Sequence, residues 1–223
     1  MERILHPRDA EYVFLDLDGT LTDPSEGIIN GVIAALRRFG IVENDREKLK
    51  AFIGPPLYGS FMEHYGFSKD KAYEGVGYFQ EYYAPTGQYE NRPYPGMCDL
   101  LARWKAEGRK LVLATSKPEY FAVRILERFG MAEHFLLMAG GDVEETRVEK
   151  ADVISYAKGK LGLGDDISAV MVGDTRYDVL GAAQHGIPTV GVLYGFGSRA
   201  MLEEAGACWI VDSVDALDTL MRR

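Results

Sequence analysis

Cysteine is scarce in this chain: Cys98 and Cys208 are the only two among 223 residues. Two thiols so far apart in sequence form no disulfide framework, and without a CxxC pair there is no ready-made zinc site. Both are expected to be reduced and buried, as suits a reducing compartment. Long apolar runs are missing too. None approaches the ~20 residues that a membrane-spanning helix needs. The opening segment, Met1 to Asp9, mixes charges and lacks the apolar stretch of a signal peptide. A cytoplasmic location, with no membrane partner, is therefore expected. Repeats and low-complexity tracts are absent. Basic charge is in deficit, with 25 Lys and Arg against 34 Asp and Glu and a formal net charge of −9. Such a surface argues against a nucleic-acid polymer or an anionic membrane as the main partner. A locally positive site for a small anion remains compatible with it.

The residues present are those of a folded protein: 47% hydrophobic, 26% charged and 11% aromatic. The length suits one full core and a smaller second lobe. Four short apolar runs, at 12–17, 110–114, 169–172 and 189–193, are apolar on both faces, as strands of a covered parallel sheet are. Runs at 136–139 and 208–211 are further candidates. Helical patterns follow two of them, at 118–129 and 177–185. Strands alternating with helices imply an α/β, doubly wound, mainly parallel sheet. Between about 24 and 91 the rhythm breaks. Ile28, Val32, Ala35, Leu36 and Phe39 recur at helical spacing, as do Ala72, Val76, Phe79 and Tyr83. Turn-rich Asp23-Pro24 and Arg92-Pro93-Tyr94-Pro95-Gly96 flank this stretch. The spacing predicts an all-helical cap at 24–91, inserted into an α/β core of 1–23 and 92–223.

Four segments carry chemistry. In Val13-Phe14-Leu15-Asp16-Leu17-Asp18-Gly19-Thr20 a buried strand runs into two acids, two residues apart. Period-two geometry points both carboxylates the same way, at the strand end where open α/β sheets bind ligands. Burying adjacent carboxylates unpaired is costly, and a cation is the simplest remedy. In Val172-Gly173-Asp174-Thr175-Arg176-Tyr177-Asp178 another strand ends in an acid, with a second acid four residues on. Asp174 alone reads equally well as a helix N-cap. With Asp16 and Asp18 it adds to the hard oxygen ligands that Mg²⁺ prefers. Thr115-Ser116-Lys117-Pro118-Glu119 places Ser116 and Glu119 at capping-box spacing, and a helix N-terminus also binds phosphate. Thr146 and Glu149 repeat that spacing before Lys150, which by itself reads as a surface lysine.

Order and spacing resemble the haloacid dehalogenase superfamily of phosphotransferases. The resemblance rests on Asp16-Leu17-Asp18-Gly19-Thr20, the strand-ending Thr115, Lys150, and Gly173-Asp174 with Asp178, and it covers nearly the whole chain. Within the superfamily, Phe52 to Leu57, Thr115 to Pro118 and Gly191 to Gly197 are similar to the phosphoglycolate phosphatase and 5′-nucleotidase-like group. The resemblance implies a Mg²⁺-dependent phosphatase acting on a small phosphate monoester. Asp16 is then the nucleophile that forms an aspartyl-phosphate. Asp18 protonates the leaving alkoxide and later takes a proton from water. Asp16, Asp174 and the backbone carbonyl of Asp18 hold Mg²⁺. Thr115, Ser116 and Lys150 hold the phosphoryl oxygens, and Asp178 organises from behind or serves as an occasional ligand. The cation and Lys150 are expected to lower the pKa of Asp16.

Asp23 reads as the N-cap of the first inserted helix, with Pro24 at N1. Residues 58–94 hold eleven Tyr or Phe, most of them expected in the helical core. Tyr78 and Tyr82, one turn apart and off the main apolar face, are candidates to stack on a nucleotide, and Arg92 to contact an anion. A phosphomutase needs the same pair of acids. A receiver-like signalling module also gathers acids, a Thr or Ser and a Lys, but is about half this length.

Overall fold

Of the computed structural model, residues 4–142 and 147–222 are described below. Each strand of the main sheet divides its side chains between two cores, as period-two geometry requires. Strand β1 (Tyr12–Leu15) sends Val13 and Leu15 to one face and Phe14 to the other. Strands β4 (Lys110–Pro118), β5 (Phe135–Gly141), β6 (Ala169–Gly173), β7 (Thr189–Val192) and β8 (Trp209–Val211) complete a six-stranded sheet. Its order is β5-β4-β1-β6-β7-β8, and the pairings are parallel. Two further two-residue strands, β2 (Thr22–Asp23) and β3 (Arg92–Pro93), pair separately.

Helices α5 (Met97–Ala106), α6 (Glu119–Arg128) and α10 (Val214–Met221) pack on the Val13 face, burying Trp104, Leu126 and Leu217 among others. Helices α7 (Lys150–Leu161) and α8 (Arg176–Ala183) cover the Phe14 face through Val153, Ile154, Ala157 and Ala182. Helix α9 (Arg199–Ala205) follows β7, with Leu202 buried. Burial on both faces explains why these strands read as unbroken apolar runs. The doubly wound parallel sheet expected from the sequence is the one observed.

Two compact units are formed, residues 1–22 with 93–223 and residues 23–92. The second unit holds α1 (Ser25–Arg38), α2 (Arg46–Leu49), α3 (Leu57–Tyr65) and α4 (Lys69–Tyr83). Asp45 and Ser68 cap α2 and α4 through backbone N–H groups in their first turns. Gly31 of α1 lets Phe79 of α4 approach, since a Cβ there would lie 2.7 Å from that ring. Phe61 stacks on Phe67, and Phe79 on Tyr83.

Three local expectations need correction. Cys208 is exposed and Cys98 only half-buried, because Cys208 directly precedes β8, the last strand in the sheet order. Helix α1 starts at Ser25 with Pro24 at its N-cap; Asp23 still accepts the Ser25 N–H at 3.0 Å. The Ser116–Glu119 capping box does not form. Strand β4 continues through Pro118, and the Glu119 carboxylate accepts the Gly140 N–H at 3.2 Å instead. Thr146 lies outside the described residues.

Candidate active site

Asp16 continues β1 by one residue, its N–H bonded to the Val172 carbonyl of β6 at 3.1 Å. Its side chain is buried among charges. Lys150 Nζ lies 2.6 Å from Asp16 Oδ1, 2.8 Å from Asp178 Oδ1 and 2.8 Å from the Ala114 carbonyl. Lys150 is the first residue of α7, the helix covering this face of the sheet, and is only 4% exposed. The surface reading of Lys150 is therefore excluded.

Asp174 follows β6 directly and is fully buried. It is not the cap of α8, because Thr175 takes that position. Asp174 Oδ2 accepts the Phe196 N–H at 2.8 Å, and Oδ1 accepts the Thr20 hydroxyl at 3.4 Å. Asp178, in the first turn of α8, accepts the Thr175 N–H at 3.0 Å and its hydroxyl at 2.9 Å. Carboxylate oxygens of Asp16, Asp174 and Asp178 come within 4.8 Å of one another. Glycine permits this crowding. Gly19 has φ +86°, and a Cβ there would fall 2.2 Å from Asp174 Oδ2. A Cβ on Gly173 would meet Asp178 Cγ at 2.3 Å.

Burial pushes the Asp16 carboxyl up to about 6, with the negative charges of Asp178 and Asp18 adding to it, and Lys150 offsets this only in part. Lysine alone thus does not hold Asp16 in the low range expected from the sequence. Asp174 is raised well above the usual carboxylate range by burial, then by Asp178 and Asp16. Burial disfavours the charged form of Lys150, but Asp16 and Asp178 outweigh it and raise its pKa. Three buried carboxylates thus share one buried lysine. An all-oxygen donor set with this excess of negative charge fits a hard divalent cation.

The other expected residues separate into two groups. Thr115 is 2% exposed, and its Oγ1 accepts the Lys117 N–H at 3.3 Å. Ser116 lies beside it, half-buried on β4. Asp18 stands apart from the carboxylate trio: its Oδ2 accepts from Lys117 Nζ at 2.8 Å. Lys117 was not singled out from the sequence, although it stands two residues beyond the strand-ending Thr115. In the second unit, Tyr78 donates to Glu74 at 2.6 Å, under the Arg38 guanidinium at 4.2 Å. Tyr82 donates to Glu90 at 3.0 Å. Arg92 pairs with Asp23 at 2.8 Å while remaining 79% exposed.

A family model described as haloacid dehalogenase-like hydrolase matches residues 13–192. A 5′-nucleotidase of Pseudomonas aeruginosa is 43% identical over 187 residues, covering 84% of each chain. Tyrosine-protein kinase PtkA of Mycobacterium tuberculosis is 34% identical over 94% of this chain and 71% of its own. A phosphoglycolate phosphatase of Neisseria meningitidis is 29% identical, covering 92% of this chain and 91% of its own. Among solved structures, a predicted phosphatase from Clostridium acetobutylicum superposes with a TM-score of 0.90 at 44% identity, covering 94% of this chain and 97% of that one. No helix among the described residues is long and apolar enough to cross a membrane. With the strand-end acids and the buried lysine in place, this chain belongs to the haloacid dehalogenase-like hydrolase family and is a phosphatase.

Proposed function

We propose that this phosphatase hydrolyses a small phosphate monoester through an aspartyl-phosphate on Asp16, with Mg²⁺ as cofactor. The observation that carries the reading is the buried Asp16–Lys150–Asp178 arrangement with Asp174 beside it. Such a cluster is expensive to bury unless charge is brought to it. Mg²⁺ would be held by Asp16, Asp174 and the Asp18 carbonyl, and supplies charge neutralisation for an anionic substrate. Lys150 orients Asp16 and favours its ionised form, a task it would share with the cation. Thr115, the Ser116 N–H and Lys150 hold the phosphoryl oxygens.

In the first step an Asp16 carboxylate oxygen bonds to phosphorus. The ester P–O bond breaks, and the leaving oxygen takes a proton from Asp18. In the second step water attacks phosphorus and gives its proton to Asp18. The Asp16–phosphorus bond breaks and inorganic phosphate leaves. For the substrate, a nucleoside 5′-monophosphate is favoured over phosphoglycolate by the closer likeness to the named 5′-nucleotidase.

Phosphate release from a panel of monoesters with Mg²⁺, including nucleoside monophosphates and phosphoglycolate, tests the reading. Failure to release phosphate from any of them refutes it. The likeness to a protein named a tyrosine kinase supports a second reading, in which an acceptor other than water takes the phosphoryl group from Asp16. A phosphorylated acceptor formed in place of free phosphate, as in a mutase, would select that reading.

A further inference from the structure

Strand β4 loses register with β5 at the site. Ala114 pairs with Ala139 and Pro118 with Gly141, so four steps on β4 match two on β5. The three intervening residues, Thr115 to Lys117, face the single Gly140 and form a bulge, a device that re-aims side chains near active sites. The Lys117 N–H is tied back to Thr115 Oγ1, which fixes the turn. From there the Lys117 side chain, 7% exposed, reaches Asp18 Oδ2 at 2.8 Å. The other Asp18 oxygen, Oδ1, is buried and has no hydrogen-bond partner among the described residues. Lone buried acceptors are rare and call for an explanation. Buried ion pairs add little net stability, whereas misplacing a reacting group by ~1 Å costs about 10²-fold in rate.

We propose that Lys117 is the positioning residue of Asp18: its ammonium fixes Oδ2 and thereby presents Oδ1 to the leaving oxygen of the substrate. The inference rests on the phosphatase reading above. Lys117 acts through Asp18 and is not a ligand of the transferred phosphoryl group. Its effect therefore depends on how much the leaving group needs a proton. An alkoxide leaves only when protonated, whereas p-nitrophenolate is stable without help.

The test compares kcat/KM for adenosine 5′-monophosphate, phosphoglycolate and p-nitrophenyl phosphate, because kcat/KM reports steps up to the first irreversible one. Lys117→Met is expected to lower kcat/KM about 30–100-fold on whichever alkyl ester the wild type turns over. On p-nitrophenyl phosphate the loss should stay under about threefold, because acid help contributes little there. Lys117→Arg, which keeps the cation, should recover most of the alkyl-ester rate. In an Asp18→Asn background Lys117→Met should add little, as expected of two residues acting as one unit. Lys117→Gln is run in parallel, with thermal melts of each variant, so that misfolding of one leaves another to decide. Equal losses on both ester types would make Lys117 a phosphate ligand and overturn the proposal. Unchanged rates on both would overturn it as well. A wild-type protein that turns over none of these esters defeats the phosphatase reading instead.

Discussion

Replacing Lys150 with methionine removes a cation that touches two of the three clustered acids. Methionine refills most of the volume with little packing strain, so the cost is electrostatic. The lost partners are Asp16 at 2.6 Å, Asp178 at 2.8 Å and the Ala114 carbonyl at 2.8 Å. Removing one member of a buried pair costs about 3–5 kcal/mol, because the other charge stays behind uncompensated. With a urea slope on the order of 2–3 kcal/mol per molar, the midpoint should fall by roughly 1–2 M. The assay is urea unfolding of metal-free wild type and Lys150→Met between pH 4.5 and 7.5. Asp16 already titrates near 6 with Lys150 present, and losing the lysine moves it higher. The folded variant therefore binds more protons than the unfolded chain through this window, and its stability falls as pH rises. The gap between variant and wild type should be small at pH 4.5 and full at pH 7.5. The raised pKa of Lys150 stabilises the wild type at all these pH values and fades only in strong alkali. A cost below about 1 kcal/mol at pH 7.5, or one that grows on acidification, would refute the reasoning.

Magnesium affinity should follow the same titration. With Asp16 near 6, its ionised fraction falls about tenfold from pH 7 to pH 5, so the Kd measured calorimetrically should rise at least about tenfold, with proton release on binding. Asp16→Asn should abolish phosphate release while preserving the circular dichroism spectrum, and EDTA should silence the wild type reversibly; full activity in either case removes the nucleophile or the metal from the mechanism. Gly19→Ala puts a Cβ where Asp174 Oδ2 now lies, 2.2 Å away, at φ +86°. Backbone strain of about 1–2 kcal/mol and a displaced carboxylate should lower both melting temperature and kcat/KM, the latter by more than about tenfold.

The sheet and the acids at its strand ends were legible because both are local signals. An apolar run closed by an acid, at Leu15-Asp16 and Val172-Gly173-Asp174, needs no knowledge of distant chain. Lys150 was legible only through its resemblance to a family motif. Its partners lie 134 and 36 positions away in sequence, at Asp16 and Ala114, and nothing in its own neighbourhood announces burial. Lys117 went unnoticed for a related reason. The strand does not stop at Thr115 but bulges and continues to Pro118. Lys117, which a cap at Ser116 would place on a helix, therefore reaches Asp18 instead. Ser116 and Glu119 have capping-box spacing, yet the bulge claims Ser116 and Glu119 bonds Gly140. Local spacing predicts a cap only where the backbone turns into a helix at that residue.

What brings the remote residues together is the position of β1 between β4 and β6. Leu15 pairs with Leu113 on one side and with Val172 on the other, so Asp16, Thr115 and Asp174 each follow within two residues of one level of the sheet. The chain leaves β1 for strands on opposite sides, and such a switch point opens a crevice beyond the strand ends. The acids that follow β1 and β6 fall into it together, and Lys150 joins them while bonding the Ala114 carbonyl of β4. Because the crevice floor is apolar core on both faces, charge placed there is poorly solvated. The electrostatics then dominate the chemistry. Lys117 is engaged by Asp18, whereas Lys150 faces the three clustered carboxylates. The described side chains thus leave the crevice negative where a phosphate must approach. That imbalance, and not the acidity of the protein surface, is the physical reason why turnover should require a divalent cation.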